Sequence, residues 1–164
     1  MIMKNDNLKR FKGVSLIEAM LAITVLVIAV LGASGYRYYS SLDGKRADMR
    51  ATASRIGMLL CESWSGVKGD EDFDPTVYSE TELAMTEISV PDSLVPEGFD
   101  SLGAYEIQTG NVNYYAVLSY DDVSDGLRAM NIVVAWAQRQ QSESAIADAD
   151  KQFSLTTYTE VPED

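Results

Sequence analysis

Two sets of residues in this chain have the types and spacing to do chemistry, and both are acids. Asp70, Asp72 and Asp74 stand at alternate positions, the one-three-five spacing that opens an oxygen-ligand loop for calcium. An EF-hand loop also needs Gly at its sixth position and Glu at its twelfth, where this chain has Pro75 and Thr81. The pattern is broken, so a solvated acidic loop is the favoured reading and Asp70, Asp72 and Asp74 stay as calcium candidates only. The second set is a single residue, Glu18, which alone interrupts 23 otherwise uncharged positions from Val14 to Tyr36. An acid near the centre of a membrane helix costs about 2.5–3.5 kcal/mol on insertion scales, and less near the interface. Glu18 therefore needs a reason.

Composition removes most other chemistry. There is no histidine and one cysteine, Cys61, so neither a His- or Cys-rich zinc site nor a Ser-His-Asp or Cys-His nucleophile can be assembled. One cysteine also forbids an intrachain disulfide. Cys61 falls in an apolar helical stretch, where it reads as a small buried hydrophobe. The net charge is −12, but residues 1–13 carry Lys4, Lys9, Arg10 and Lys12 against Asp6, a local +3 that leaves −15 for the remainder. A body so acidic repels nucleic acid, whose binding rests on Lys and Arg neutralising phosphates. No phosphate-binding loop is present. Acid pairs abound, yet none stands out from its neighbours as a carboxylate pair for glycoside chemistry. The expectation is a non-enzymatic protein without a cofactor.

The elements that must position Glu18 begin with a basic leader, residues 1–13, and an apolar segment, 14–36. The run suits a membrane-crossing helix, which needs roughly 20 apolar residues. A secretory signal peptide cut near Ala33-Ser34-Gly35 is one reading, but the run is long for it and Glu18 stands where its apolar region should begin. A plain signal anchor with a cytoplasmic N-terminus is a second; it accounts for the charges and the length but not for Glu18.

A third reading accounts for both Gly13 and Glu18. The stretch Gly13-Val14-Ser15-Leu16-Ile17-Glu18-Ala19-Met20-Leu21-Ala22, behind Lys9-Arg10-Phe11-Lys12, resembles the N-terminal processing signal of type IV pilin-like proteins: pilins, minor pilins and the pseudopilins of type II secretion systems. The resemblance implies that a prepilin peptidase cuts between Gly13 and Val14 on the cytoplasmic face and that the new N-terminus is methylated. By the same resemblance Glu18 is expected to become the fifth mature residue and to neutralise the N-terminal ammonium of a neighbouring subunit during filament assembly. Val14 departs from the family, which most often has phenylalanine there. Calcium binding occurs in some pseudopilins, which is the family context for Asp70, Asp72 and Asp74.

Beyond Tyr36 the composition turns charged, while Met49, Ala53, Ile56, Leu60 and Trp64 recur at steps of four, three, four and four. That is one helical face, and it makes 37–66 the amphipathic half of a helix. If continuous from Val14 to Trp64 the helix would span roughly 75 Å; Gly32, Gly35 and Gly44 leave two separate helices as the alternative. Gly66 and Gly69 are its stop signals. Residues 67–103, rich in acids and punctuated by Pro75, Pro91 and Pro96, read as a variable loop with a short strand at Glu87–Val90.

From residue 104 to 164 the pattern has period two. Ala104–Thr109 and Asn113–Tyr120 predict a hairpin about Gly110-Asn111. Met130–Gln138 follows the Asp125-Gly126 turn, with Met130, Ile132, Val134 and Trp136 on one face, and Phe153–Thr159 closes the chain. Trp136 reads as core, and Tyr114, Tyr115 and Tyr120 as half-buried sheet positions or a contact surface. The fold expected is α+β, a long N-terminal helix packed on an antiparallel sheet of about four strands. The function expected is a membrane-stored minor pilin or minor pseudopilin, with the prepilin peptidase, fellow subunits and the inner membrane as partners. The alternative is a signal-anchored extracytoplasmic binding module that does not assemble.

Overall fold

The computed structural model describes residues 15–78, 84–138 and 146–161. The chain divides into two compact units, residues 1–44 and 45–164. Helix α1, Leu16–Gly66, contributes to both. It passes through Gly32, Gly35 and Gly44 without interruption, which overturns the two-helix alternative. Each helical glycine costs about 1 kcal/mol relative to alanine, which a helix already propagating from both sides absorbs, since propagation adds one backbone bond per residue without a new nucleus.

In the first unit the side chains of α1 face outward all round, and large apolar residues from Leu16 to Leu31 are exposed. This part is long and apolar enough to cross a membrane, with a mean hydropathy of 2.5 over 18 residues, none of them buried by the rest of the chain. A helix that is apolar on every face has no face to spare for water.

The second unit is an antiparallel sheet under the C-terminal part of α1. Five strands, β1 (Met85–Ile88), β2 (Asp100–Thr109), β3 (Val112–Ser124), β4 (Leu127–Trp136) and β5 (Lys151–Glu160), lie side by side in chain order. The sheet is thus one strand larger than the sequence suggests. β1 forms two residues before the predicted Glu87–Val90, because Met85 to Ile88 pair with Ile107 to Ala104. Its place depends on the free edge of β2 and not on its own short pattern.

The β2–β3 turn is Gly110-Asn111, with Gly110 at φ 62, the pattern of a two-residue type II′ hairpin. β3 runs through Asp121 and Asp122 to Ser124, and β4 begins at Leu127, both closer to the Asp125-Gly126 turn than alternation implies.

Ala53, Ile56, Leu60 and Trp64 of α1 are buried against Ile107, Tyr114, Ala116, Leu118, Met130, Ile132, Val134 and Trp136, so the predicted helix face and the predicted β4 face meet. Helix and sheet come close at Gly57, where an added Cβ would lie 3.0 Å from the Phe153 ring. Cys61 is half-buried and packs against the same core. The second face of β4 is also buried at Asn131, Val133 and Ala135, which a period-two pattern does not foresee. The short 3-10 turn Ile146–Asp148 lies against that strand.

Candidate functional site

Glu18 lies in the first turn of α1. Ser15 precedes the helix, and its carbonyl accepts the amide of Ala19 at 3.1 Å. Ser15 and Glu18 are therefore at the N-cap and N3 positions, the S-x-x-E spacing of a capping box. A carboxylate there also offsets the partial positive charge of the helix N-terminus. The Ser15-x-x-Glu18 spacing is itself a sequence signal, one that reading Glu18 only against its apolar surroundings passes over. Toward the C-terminus the same helix face continues as Leu21, Ala22, Val25, Leu26, Ala29 and Ala33, with small residues that allow close helix approach. Gly13 and Val14, the two sides of the predicted cleavage, lie outside the described residues.

Asp70, Asp72 and Asp74 occupy the turn after α1, and local backbone and side-chain donors take up two of them. Asp70 Oδ1 accepts the Asp72 amide at 3.1 Å. Asp74 Oδ1 accepts both the amide and the hydroxyl of Thr76, at 2.8 and 2.7 Å. These are Asx-type turns, which organise a loop without a ligand. Among the described residues no three acid, histidine or cysteine side chains are gathered to hold a metal ion.

Among the described residues of the second unit, the densest polar cluster centres on Arg128, which is 4% exposed. Its Nε and Nη2 donate to the two oxygens of Asp122 at 2.7 and 2.9 Å. Nη2 also donates to Glu71 at 2.6 Å, and Nη1 to the Gly69 carbonyl at 2.9 Å. The guanidinium carbon lies 4.4 Å from the centre of the Tyr120 ring. The fork of donors joins β3, β4 and the chain leaving α1, as only a planar guanidinium can. Arg128 holds the Asp122 carboxyl below its usual range, chiefly by its hydrogen bond. The cluster has a sequence signal: Arg128 is the first base after the long acidic stretch that follows Lys68.

A second buried polar set lies on the other sheet face. Asn131 donates to Ser119 Oγ at 3.3 Å and accepts from Ser154 and Thr156 at 3.3 and 3.0 Å. Every buried side-chain nitrogen and oxygen among the described residues has a partner, so neither cluster presents an unmet group to a ligand. Tyr114 and Tyr115 are buried, which removes them as a contact surface, and Trp136 is core. Burial, with Asp74 and Glu87 adding, pushes the Tyr105 hydroxyl up to about 12. Comparison with protein-family models, curated proteins and solved structures gave no match to this chain.

Proposed function

We propose that the chain is a membrane-stored, pilin-like structural subunit, a minor pilin or minor pseudopilin of a type IV pilus or type II secretion filament. A prepilin peptidase cuts it between Gly13 and Val14 and methylates the new N-terminus. Before assembly it resides in the inner membrane with its N-terminus cytoplasmic and its sheet domain outside. Energy for extraction comes from an ATPase elsewhere. The observation that carries this reading is Glu18, an acid five residues past Gly13 in a helix otherwise apolar on every side. Its pairing with a neighbour's N-terminal ammonium lets two charges leave water together, which costs less than either leaving alone. The α+β body supports the reading by its order of elements.

A second reading has its own support. The S-x-x-E spacing at the helix N-terminus gives Glu18 a local reason to be polar, and an exposed apolar helix equally suits a plain anchor carrying a binding module that never assembles. Glu18→Gln separates the two, because glutamine serves at N3 of a capping box but carries no charge. Filament incorporation, measured by cross-linking to fellow subunits in cells, should fail in Glu18→Gln and Glu18→Ala alike, with membrane levels unchanged. Full incorporation of the glutamine form would reduce Glu18 to a cap. N-terminal sequencing of membrane-extracted protein tests processing, and a mature end other than Val14 would sink the cleavage assignment.

A further inference from the structure

Where the apolar half of α1 ends, one turn carries three aromatic rings. Tyr36, Tyr38 and Tyr39 are 75%, 63% and 68% exposed, and the rings of Tyr38 and Tyr39 meet edge to face with centroids 5.7 Å apart. Successive helical residues are rotated by about 100°, so residues 36, 37, 38 and 39 point to roughly 0, 100, 200 and 300°. Three tyrosines and Arg37 therefore surround the helix. A partner helix or sheet would select a stripe at steps of three and four, as the sheet does with Ala53, Ile56, Leu60 and Trp64. A full ring of half-polar side chains matches surroundings that are the same in every direction and change along the axis.

Axial position agrees. From Leu16 to Gly35 the helix is free of charge except at Glu18, and these residues span about 30 Å at 1.5 Å per residue, the thickness of a bilayer's hydrocarbon core. The ring follows at once, and Asp43, Lys45 and Arg46 come after it. Tyrosine is favoured at this level because its ring is apolar and its hydroxyl polar.

We propose that Tyr36, Tyr38, Tyr39 and Arg37 form a lipid-binding girdle at the headgroup layer, the tyrosines resting among ester and glycerol groups and Arg37 meeting lipid phosphate. The girdle sets the depth at which the helix is held in the bilayer on the side of the sheet domain. It rests on the membrane placement given under Proposed function and is independent of cleavage and of filament assembly.

The test uses the full chain carrying Cys61→Ser and one new cysteine at a time, Leu26→Cys, Ala33→Cys, Ser40→Cys or Ser41→Cys. Each is reconstituted into phosphatidylethanolamine–phosphatidylglycerol vesicles and treated with a membrane-impermeant maleimide. Positions 26 and 33 should be protected and 40 and 41 labelled. With Tyr36, Tyr38 and Tyr39 all changed to Ala, labelling at position 33 should rise severalfold. With all three changed to Trp, which is amphipathic in the same way, the parental boundary should return. These tyrosines lie outside the core, and an unchanged urea midpoint followed by far-UV circular dichroism reports that the sheet domain is intact. Labelling of position 26 in the parent overturns the membrane placement and the girdle with it. Protection of 26 together with 40 and 41 overturns the girdle alone, pointing to cover by another protein surface. An unchanged boundary in the alanine form also overturns the girdle alone.

Discussion

Arg128 is buried while its two carboxylate partners are not: the Asp122 and Glu71 side chains are 56% and 57% exposed. That asymmetry decides what each substitution does. In Arg128→Met the two acids turn to water, and the main loss is the donor to the Gly69 carbonyl, about 1–3 kcal/mol if that group is left unsatisfied. Removing both acids in Asp122→Asn with Glu71→Gln instead leaves a buried cation without a counter-charge, and should cost about 3–5 kcal/mol. Urea unfolding of the chain in detergent, followed by the fluorescence of Trp64 and Trp136, both in the core, should rank the double acid variant below Arg128→Met.

The pH dependence follows from the same pair. Asp122 has a depressed pKa in the folded state, so its stabilisation is present above the unfolded value of about 3.9 and fades as pH falls through the lower folded value. The stability gap between the parent and Arg128→Met should therefore narrow below about pH 4. A gap that stays constant to lower pH would assign the role of Arg128 to packing.

At the scale of elements, the end of α1 is the instructive case. Gly66 and Gly69 predict the stop, but the residue in the left-handed conformation just after the helix is Lys68, at φ 57. The Gly69 amide donates to the Trp64 carbonyl and the Lys68 amide to that of Ser65, both at 3.0 Å. This is a Schellman motif with lysine where glycine is usual. Gly69, at φ 72, is needed for space as well, since a Cβ there would lie 2.7 Å from Thr159 Cγ2 and 3.1 Å from Met130 Sδ. Neighbouring residues thus have opposite expected responses. Lys68→Gly should stabilise by about 0.5–1 kcal/mol by removing left-handed strain. Gly69→Ala should destabilise by at least ~1 kcal/mol. Thermal unfolding of both variants checks the pair, and equal shifts of one sign would contradict it.

For the whole molecule, every buried apolar side chain among the described residues lies between Ala53 and Ala137. The second unit thus has a core of its own. A chain beginning at Lys45 should unfold in urea with a stability within about 0.5 kcal/mol of the full chain in detergent, as independent sites do. Leu60→Ala, in contrast, should cost about 2–5 kcal/mol in either form, because it opens a cavity between helix and sheet. A large loss on shortening, measured by the same urea curves, would mean that the first unit supports the second.

Local periodicity was enough to read the helix face Met49 to Trp64, the hairpin at Gly110-Asn111, the core side of β4 and the α+β class. Each rests on near neighbours in sequence, where the 3.6- and 2-residue periods act directly. The proposed roles of Gly13, Val14 and Glu18 come from a contiguous motif and owe nothing to the fold. Tertiary structure decided what depends on distant partners. β1 takes its register from β2, the second face of β4 is buried at Asn131 and Val133, and Arg128 finds Glu71 and Gly69 nearly sixty positions away. A lone arginine after an acidic stretch reads as solvated until the chain folds back and removes water from it, and that depends on long-range packing that no local period encodes.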